Sequence, residues 1–81
     1  MVPVITPVSP HILKAILEKD GFRIDMETET NWTLFKASSP CPVIVLPKKG
    51  KLVSITIMMG ILAQLKMDNK KYFSLLEQAK K

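Results

Sequence analysis

The chain has little of what most site chemistry requires. Its 81 residues hold one cysteine and one histidine. Cys41 alone excludes an internal disulfide framework and suits a reducing cytoplasm, and a Cys/His set for zinc cannot be assembled. Flanked by Pro40 and Pro42, with no histidine in its neighbourhood, Cys41 reads as a small turn residue rather than a reactive thiol. Only three glycines are present, and neither a P-loop nor a dinucleotide fingerprint is among their surroundings. Long apolar runs are missing too. The longest, Leu52 to Leu65, is interrupted by Ser54, Thr56 and Gln64 and falls short of the roughly 18 residues of a membrane span. Met1 to Pro10 lacks the basic n-region of a secretory signal, and its prolines break any helical apolar run. The reading is therefore a soluble, cytoplasmic protein with no membrane contact and no cofactor or metal.

What is present is enough for one small domain. The apolar fraction is 47%, ordinary for a globular chain of a size that can just stabilise one core. The net charge of +5 is unevenly spread. Glu18, Asp20, Asp25, Glu27 and Glu29 crowd the first half, whereas lysines dominate from Lys36 onward. Such asymmetry favours phosphate backbones or an acidic partner, and it is also common on plain soluble surfaces.

Two β-runs organise the chain: Asn31-Trp32-Thr33-Leu34-Phe35-Lys36 and Val43-Ile44-Val45-Leu46-Pro47, joined by the turn-rich Ala37 to Pro42. Before them, residues 1–8 form an extended arm whose Val2, Val4, Ile5 and Val8 are apolar enough to pack on the body or on a partner. Ser9 is an N-cap and Pro10 fits the first helical position. Ile12, Leu13, Ile16 and Leu17 then recur on one helical face, and Gly21 ends the helix. From Phe22 the period becomes two. Phe22, Ile24 and Met26 alternate with Arg23, Asp25 and Glu27, which predicts a strand with one buried face, followed by a turn at Thr28-Glu29-Thr30. The second strand is expected from Asn31 to about Ala37. The third, Val43 to Leu46, is apolar at every position, so it is expected to be covered on both faces or to meet another chain. Lys48-Lys49-Gly50-Lys51 is a basic turn. Ser54 can cap a helix from Ile55 to about Lys66, a strand over Leu52 to Met58 being the alternative. Asp68 or Asn69 caps a last helix that buries Tyr72, Phe73, Leu75 and Leu76, and residues 80–81 form a basic tail. The order α-β-β-β-α-α is that of an α+β domain, helices on one face of a three-stranded antiparallel sheet, spanning residues 9–79.

Three pieces carry a resemblance to a known family. They are Leu17-Glu18-Lys19-Asp20-Gly21-Phe22-Arg23; Phe35-Lys36 followed by Val43-Ile44-Val45-Leu46-Pro47; and Ile61-Leu62-Ala63-Gln64-Leu65 with Tyr72-Phe73-Ser74-Leu75-Leu76. Their order and spacing, covering Ser9 to Gln78, resemble the HicA or YcfA-like family of small bacterial toxin ribonucleases. The resemblance implies a double-stranded-RNA-binding-domain-like fold, RNA as the substrate, and a HicB-like antitoxin as partner. It also implies an active Gly-Ser-His motif at the start of the second strand, its histidine essential for RNA cleavage. Counting back from Phe35 places Thr30, Asn31 and Trp32 on those three positions, and none matches.

That departure matters chemically. RNA cleavage without a metal needs a group that exchanges a proton near neutral pH, which histidine does with an unperturbed pKa of about 6.5. An indole has no such proton and an amide can only hydrogen-bond. The one histidine, His11, falls in the first turn of the first helix and reads as a surface or capping residue. No catalytic residue is assigned. Asp25, Glu27 and Glu29 read as a solvated outer face rather than a metal or acid–base set. Met58, Met59 and Met67 read as core or interface.

Three functions follow. In the first, a non-catalytic HicA-like protein binds RNA, a HicB-like antitoxin, or both. Trp32 would stack on an unpaired base, Asn31 would read an edge, and Lys36, Lys48, Lys49 and Lys51 would meet phosphates; otherwise Trp32 simply packs in the sheet. In the second, an active ribonuclease has relocated its catalytic groups, with a lysine or Tyr72 in place of histidine. In the third, the protein is an adaptor or a homodimer formed through the apolar third strand or the N-terminal arm.

Overall fold

The computed structural model describes residues 5–80. Residues 1–4, with Val2 and Val4 of the expected arm, and Lys81 of the expected tail lie outside them. Helix α1 (Pro10–Lys19) is followed by strands β1 (Arg23–Glu27), β2 (Asn31–Phe35) and β3 (Val43–Pro47), then by helices α2 (Ile55–Gln64) and α3 (Asn69–Lys80). The strands form one antiparallel sheet in the order β1-β2-β3. This is the α+β arrangement, with its α-β-β-β-α-α order, that the residue pattern predicts.

Local chemistry sets the helix limits. The Ser9 hydroxyl accepts from the Ile12 N–H at 3.3 Å, with Pro10 at the first helical position. At the other end Gly21, at φ +109°, turns the chain out of α1. The Phe22 N–H then bonds the Leu17 carbonyl and the Gly21 N–H bonds the Glu18 carbonyl, which gives two end carbonyls partners. Ser54 caps α2 by accepting from the Thr56 N–H, so the strand alternative over Leu52 to Met58 is set aside. For α3 the choice between Asp68 and Asn69 falls to Asp68, whose carboxylate accepts from the Lys71 N–H at 2.7 Å.

The core lies between the helices and one face of the sheet. Trp32 and Leu34 of β2 and Ile44 and Leu46 of β3 point inward. They meet Leu13, Ile16 and Leu17 of α1, Met58, Ile61 and Leu62 of α2, and Tyr72, Leu75 and Leu76 of α3. Met67 is buried with them, whereas Met59 is exposed. The described part of the arm packs on the body: Ile5 is buried, and the Val8 carbonyl accepts from the Val53 N–H at 2.8 Å.

Two strand expectations need correction. The alternation of β1 does not produce a buried face: all five of its residues are exposed, and only Phe22, just before it, enters the core. Helix α1 packs on β3, and no residue of β1 belongs to the buried core. A bulge between Ile24 and Met26 also breaks the period-two register. For β3 only one of the two alternatives is corrected, cover on both faces; contact of one face with another chain is the alternative that stands. Ile44 and Leu46 are buried, but Val43 and Val45 stand 50% and 55% exposed on the opposite side.

Candidate functional site

The head of β2 is prepared by a threonine turn. The Thr28 hydroxyl oxygen accepts from the Asn31 N–H at 3.0 Å and from the Thr30 N–H at 3.3 Å, while the Thr28 N–H donates to the Asn31 carbonyl at 2.8 Å. These bonds form the turn without a glycine, and Thr30 has no positive φ. The Lys48 N–H bonds the Thr30 carbonyl at 2.8 Å, so the end of β3 is fastened beside it. Asn31 is half-buried, and its amide N–H donates to the Thr30 hydroxyl at 3.0 Å.

Trp32 comes next and is directed into the core. It is 5% exposed, with Glu27 across from it on β1 and Leu46 on β3. The His11 ring meets it edge-on, centroids 5.1 Å apart and planes at 67°. Two ammonium groups lie against the same indole, Lys14 Nζ at 5.2 Å and Lys48 Nζ at 5.4 Å from its centroid. Lys48 is also ion-paired with Glu27. The hydrogen bond from Lys48 and then its charge hold the Glu27 carboxyl below the ordinary 4.5, with a smaller contribution from the Lys14 charge. Lys14, Lys48, Glu27 and His11 thus form a collar around one buried ring.

The six residues proposed for RNA contact are not one surface. Asn31, Trp32 and Lys48 are brought together, but Trp32 as a core side chain: at 5% exposure its indole has no face free for a base. Lys49 and Lys51 are exposed on either side of Gly50, which takes φ +96° in the turn leaving β3. Lys36 lies past the other end of β2, about 17 Å along the strand from Asn31. There its ammonium donates to the Asp20 carbonyl at 2.6 Å and stands 3.5 Å from the Asp20 carboxylate, which Lys71 also meets at 2.9 Å. A cation at the end of α1 complements the helix dipole, and Lys36 acts there as a tie between β2 and α1.

Tyr72, proposed as a substitute for histidine, is sealed in the core. It is 0% exposed, its hydroxyl has no partner, and burial pushes its pKa above the ordinary phenol value. A buried phenol that resists ionisation cannot exchange a proton with a bound RNA. His11, expected as a surface or capping residue, is exposed, and the cap is Ser9. Its contact with Trp32 has little local signal, because the two sit on elements joined only by tertiary packing. The one hint was the His11–Lys14 spacing, which puts both on one side of α1.

Asp25, Glu27 and Glu29 are exposed, and the bulge at Asp25 breaks their simple alternation. Among the described residues no three His, Cys, Asp or Glu side chains gather as a metal set. Cys41 is half-buried, and its thiol donates to the Val43 carbonyl at 3.3 Å. No helix among the described residues is long and apolar enough to cross a membrane. The chain matches no family model, no curated protein and no solved structure.

Proposed function

We propose that this chain is a non-catalytic, HicA-like binding protein that holds RNA, a HicB-like antitoxin, or both. The observation that carries the reading is Trp32. The position where the resemblance expects a proton-exchanging imidazole holds an indole that is 5% exposed and built into the core. That position contributes to the packing of the fold and has no acid–base group. Lys49 and Lys51, exposed beside Gly50, are the members of the candidate set best placed for phosphate contact, since Lys36 and Lys48 already have carboxylate partners. Lysines in that role bind without reading sequence, so the expected affinity is salt-dependent and tolerant of RNA sequence.

One observation favours a second reading, an active ribonuclease with relocated groups. The chain's single imidazole, His11, rests on Trp32 with Lys14 and Lys48 beside the same ring. If chemistry survives, His11 is the proton-exchanging group, and Lys14 and Lys48 exchange their carboxylate partners, Glu18 and Glu27, for the phosphate. Purified protein is to be tested for RNA binding and cleavage beside its His11→Asn variant. Binding without cleavage in both supports the first reading. Cleavage by the wild type that disappears in His11→Asn establishes the second. Neither binding nor cleavage leaves the protein partner as the function.

A further inference from the structure

We infer that the outer face of the sheet is the interface of a homodimer, with a second copy of this chain stacked on it face to face. Cross-strand pairing puts Arg23, Phe35 and Val43 in one row of this face and Met26, Thr33 and Val45 in the next. Phe35 is 39% exposed and Met26 59%, and Val43 and Val45 each have about half their surface open. With their polar neighbours these rows offer roughly 600 Å² per copy, about 1,200 Å² in a pair, the lower end of specific interfaces. Arg23 is the one cation in these rows and no lysine lies in either, although the chain carries a net charge of +5.

The sheet is better suited to meet a copy by its face than by its edges. On β3 the Lys36–Pro42 and Lys48–Thr30 backbone bonds set the alternation, leaving positions 43, 45 and 47 facing the free edge. There the Val43 carbonyl already accepts from the Cys41 thiol, and Pro47 has no N–H to offer. The β1 edge carries the bulge and Asp25.

Charge selects the orientation. A two-fold axis parallel to the strands lays β1 of one copy across β3 of the other, with Phe35 and Thr33 near the axis and Met26 over the partner's Val45. The notch lined by Arg23, Ile24, Asp25 and Phe35 then receives the partner's Val43. Glu29, just past β1, comes to the same end as the partner's Lys49, just past β3. An axis perpendicular to the strands would instead set the acidic β1 of each copy against the other's. Sheets so stacked lie about 10 Å apart, and an interface this small gives a dissociation constant in the micromolar range or weaker.

Sedimentation equilibrium of the full chain over a roughly hundredfold concentration range tests this. A reversible monomer–dimer equilibrium is expected, weakened by roughly tenfold or more in Phe35→Asp and in Val45→Lys. Both positions are exposed, and circular dichroism reports whether each variant keeps its fold. Ile57→Lys, on the exposed side of α2, should leave the equilibrium unchanged. Glu29→Lys and Lys49→Glu should each weaken the dimer at low salt, and the two together in one chain should restore it. A monomer at every concentration overturns the inference. So does a dimer that tolerates Phe35→Asp and is lost in Ile57→Lys.

Discussion

At the scale of single residues, Tyr72 and Trp32 are both large, buried and polar at one atom, yet their situations differ. The Tyr72 hydroxyl is the fully buried side-chain polar atom without a partner among the described residues. Desolvation without a hydrogen bond costs about 1–3 kcal/mol, so Tyr72→Phe is expected to leave stability unchanged or raise it by about 1 kcal/mol. Urea denaturation of the two proteins measures this, and a loss beyond 1 kcal/mol would mean the hydroxyl has an unseen partner. Trp32 joins the core to a polar collar. Trp32→Ala is expected to cost about 3–5 kcal/mol by the same measurement, whereas a tryptophan exposed for base stacking would lose little. Glu27 links the collar to pH. Its folded pKa lies below 4.5 because of Lys48, so the Glu27–Lys48 contribution is full above 4.5 and is lost as pH falls through the lower folded value. Glu27→Gln should therefore be less stable than the wild type at neutral pH, the gap closing under acid; a gap independent of pH would exclude the ion pair as its cause.

At the scale of elements, α1 and α2 end in the same hydrogen-bond pattern with different residues. After α1 the left-handed position is Gly21; after α2 it is Lys66, at φ +54°, with the Met67 N–H bonded to the Leu62 carbonyl and the Lys66 N–H to that of Ala63. A side chain is strained there, so Lys66→Gly is expected to stabilise by about 0.5–1 kcal/mol, while Gly21→Ala destabilises by about 1 kcal/mol or more. Thermal melts of both variants decide it, and a destabilised Lys66→Gly would contradict the strain. Such local devices could be read in the residues: Ser9, Pro10 and Gly21 bound the first helix where pattern alone places it, and Ser54 bounds the second. The strands are less legible, for a reason outside their own pattern. Ile24, opposite the core-facing Leu34, is bare because the core does not reach it, and Val45 is bare because it stands on the face away from the helices. A period of two says that a strand has two sides but not which of them another layer reaches.

For the molecule as a whole, the element order was readable because each turn residue agrees with its neighbours' periodicity, whereas the candidate site was readable only in part. Lys36 and Lys48 look alike in sequence, as basic residues flanking a hairpin, yet one ties β2 to α1 and the other joins the collar around Trp32. Their partners, Asp20 and Glu27, lie 16 and 21 positions away, beyond the reach of local spacing. The lysines left exposed define the expectation for nucleic acid. If Lys49 and Lys51 meet phosphates, replacing either by alanine should weaken RNA binding evenly across sequences and reduce the slope of log affinity against log salt by about 1. Fluorescence-anisotropy titrations at several salt concentrations provide the test; an unchanged slope would remove the turn from the interface.

The placement of Trp32 also gives the molecule its own optical reporter. It is the only tryptophan in the chain, so all indole emission comes from one buried ring, whose centroid lies 5.1 Å from that of the His11 imidazole. Its emission should be blue in the folded protein and move to the red when the core opens. One unlabelled sample therefore reports the opening of the core by the colour of its emission.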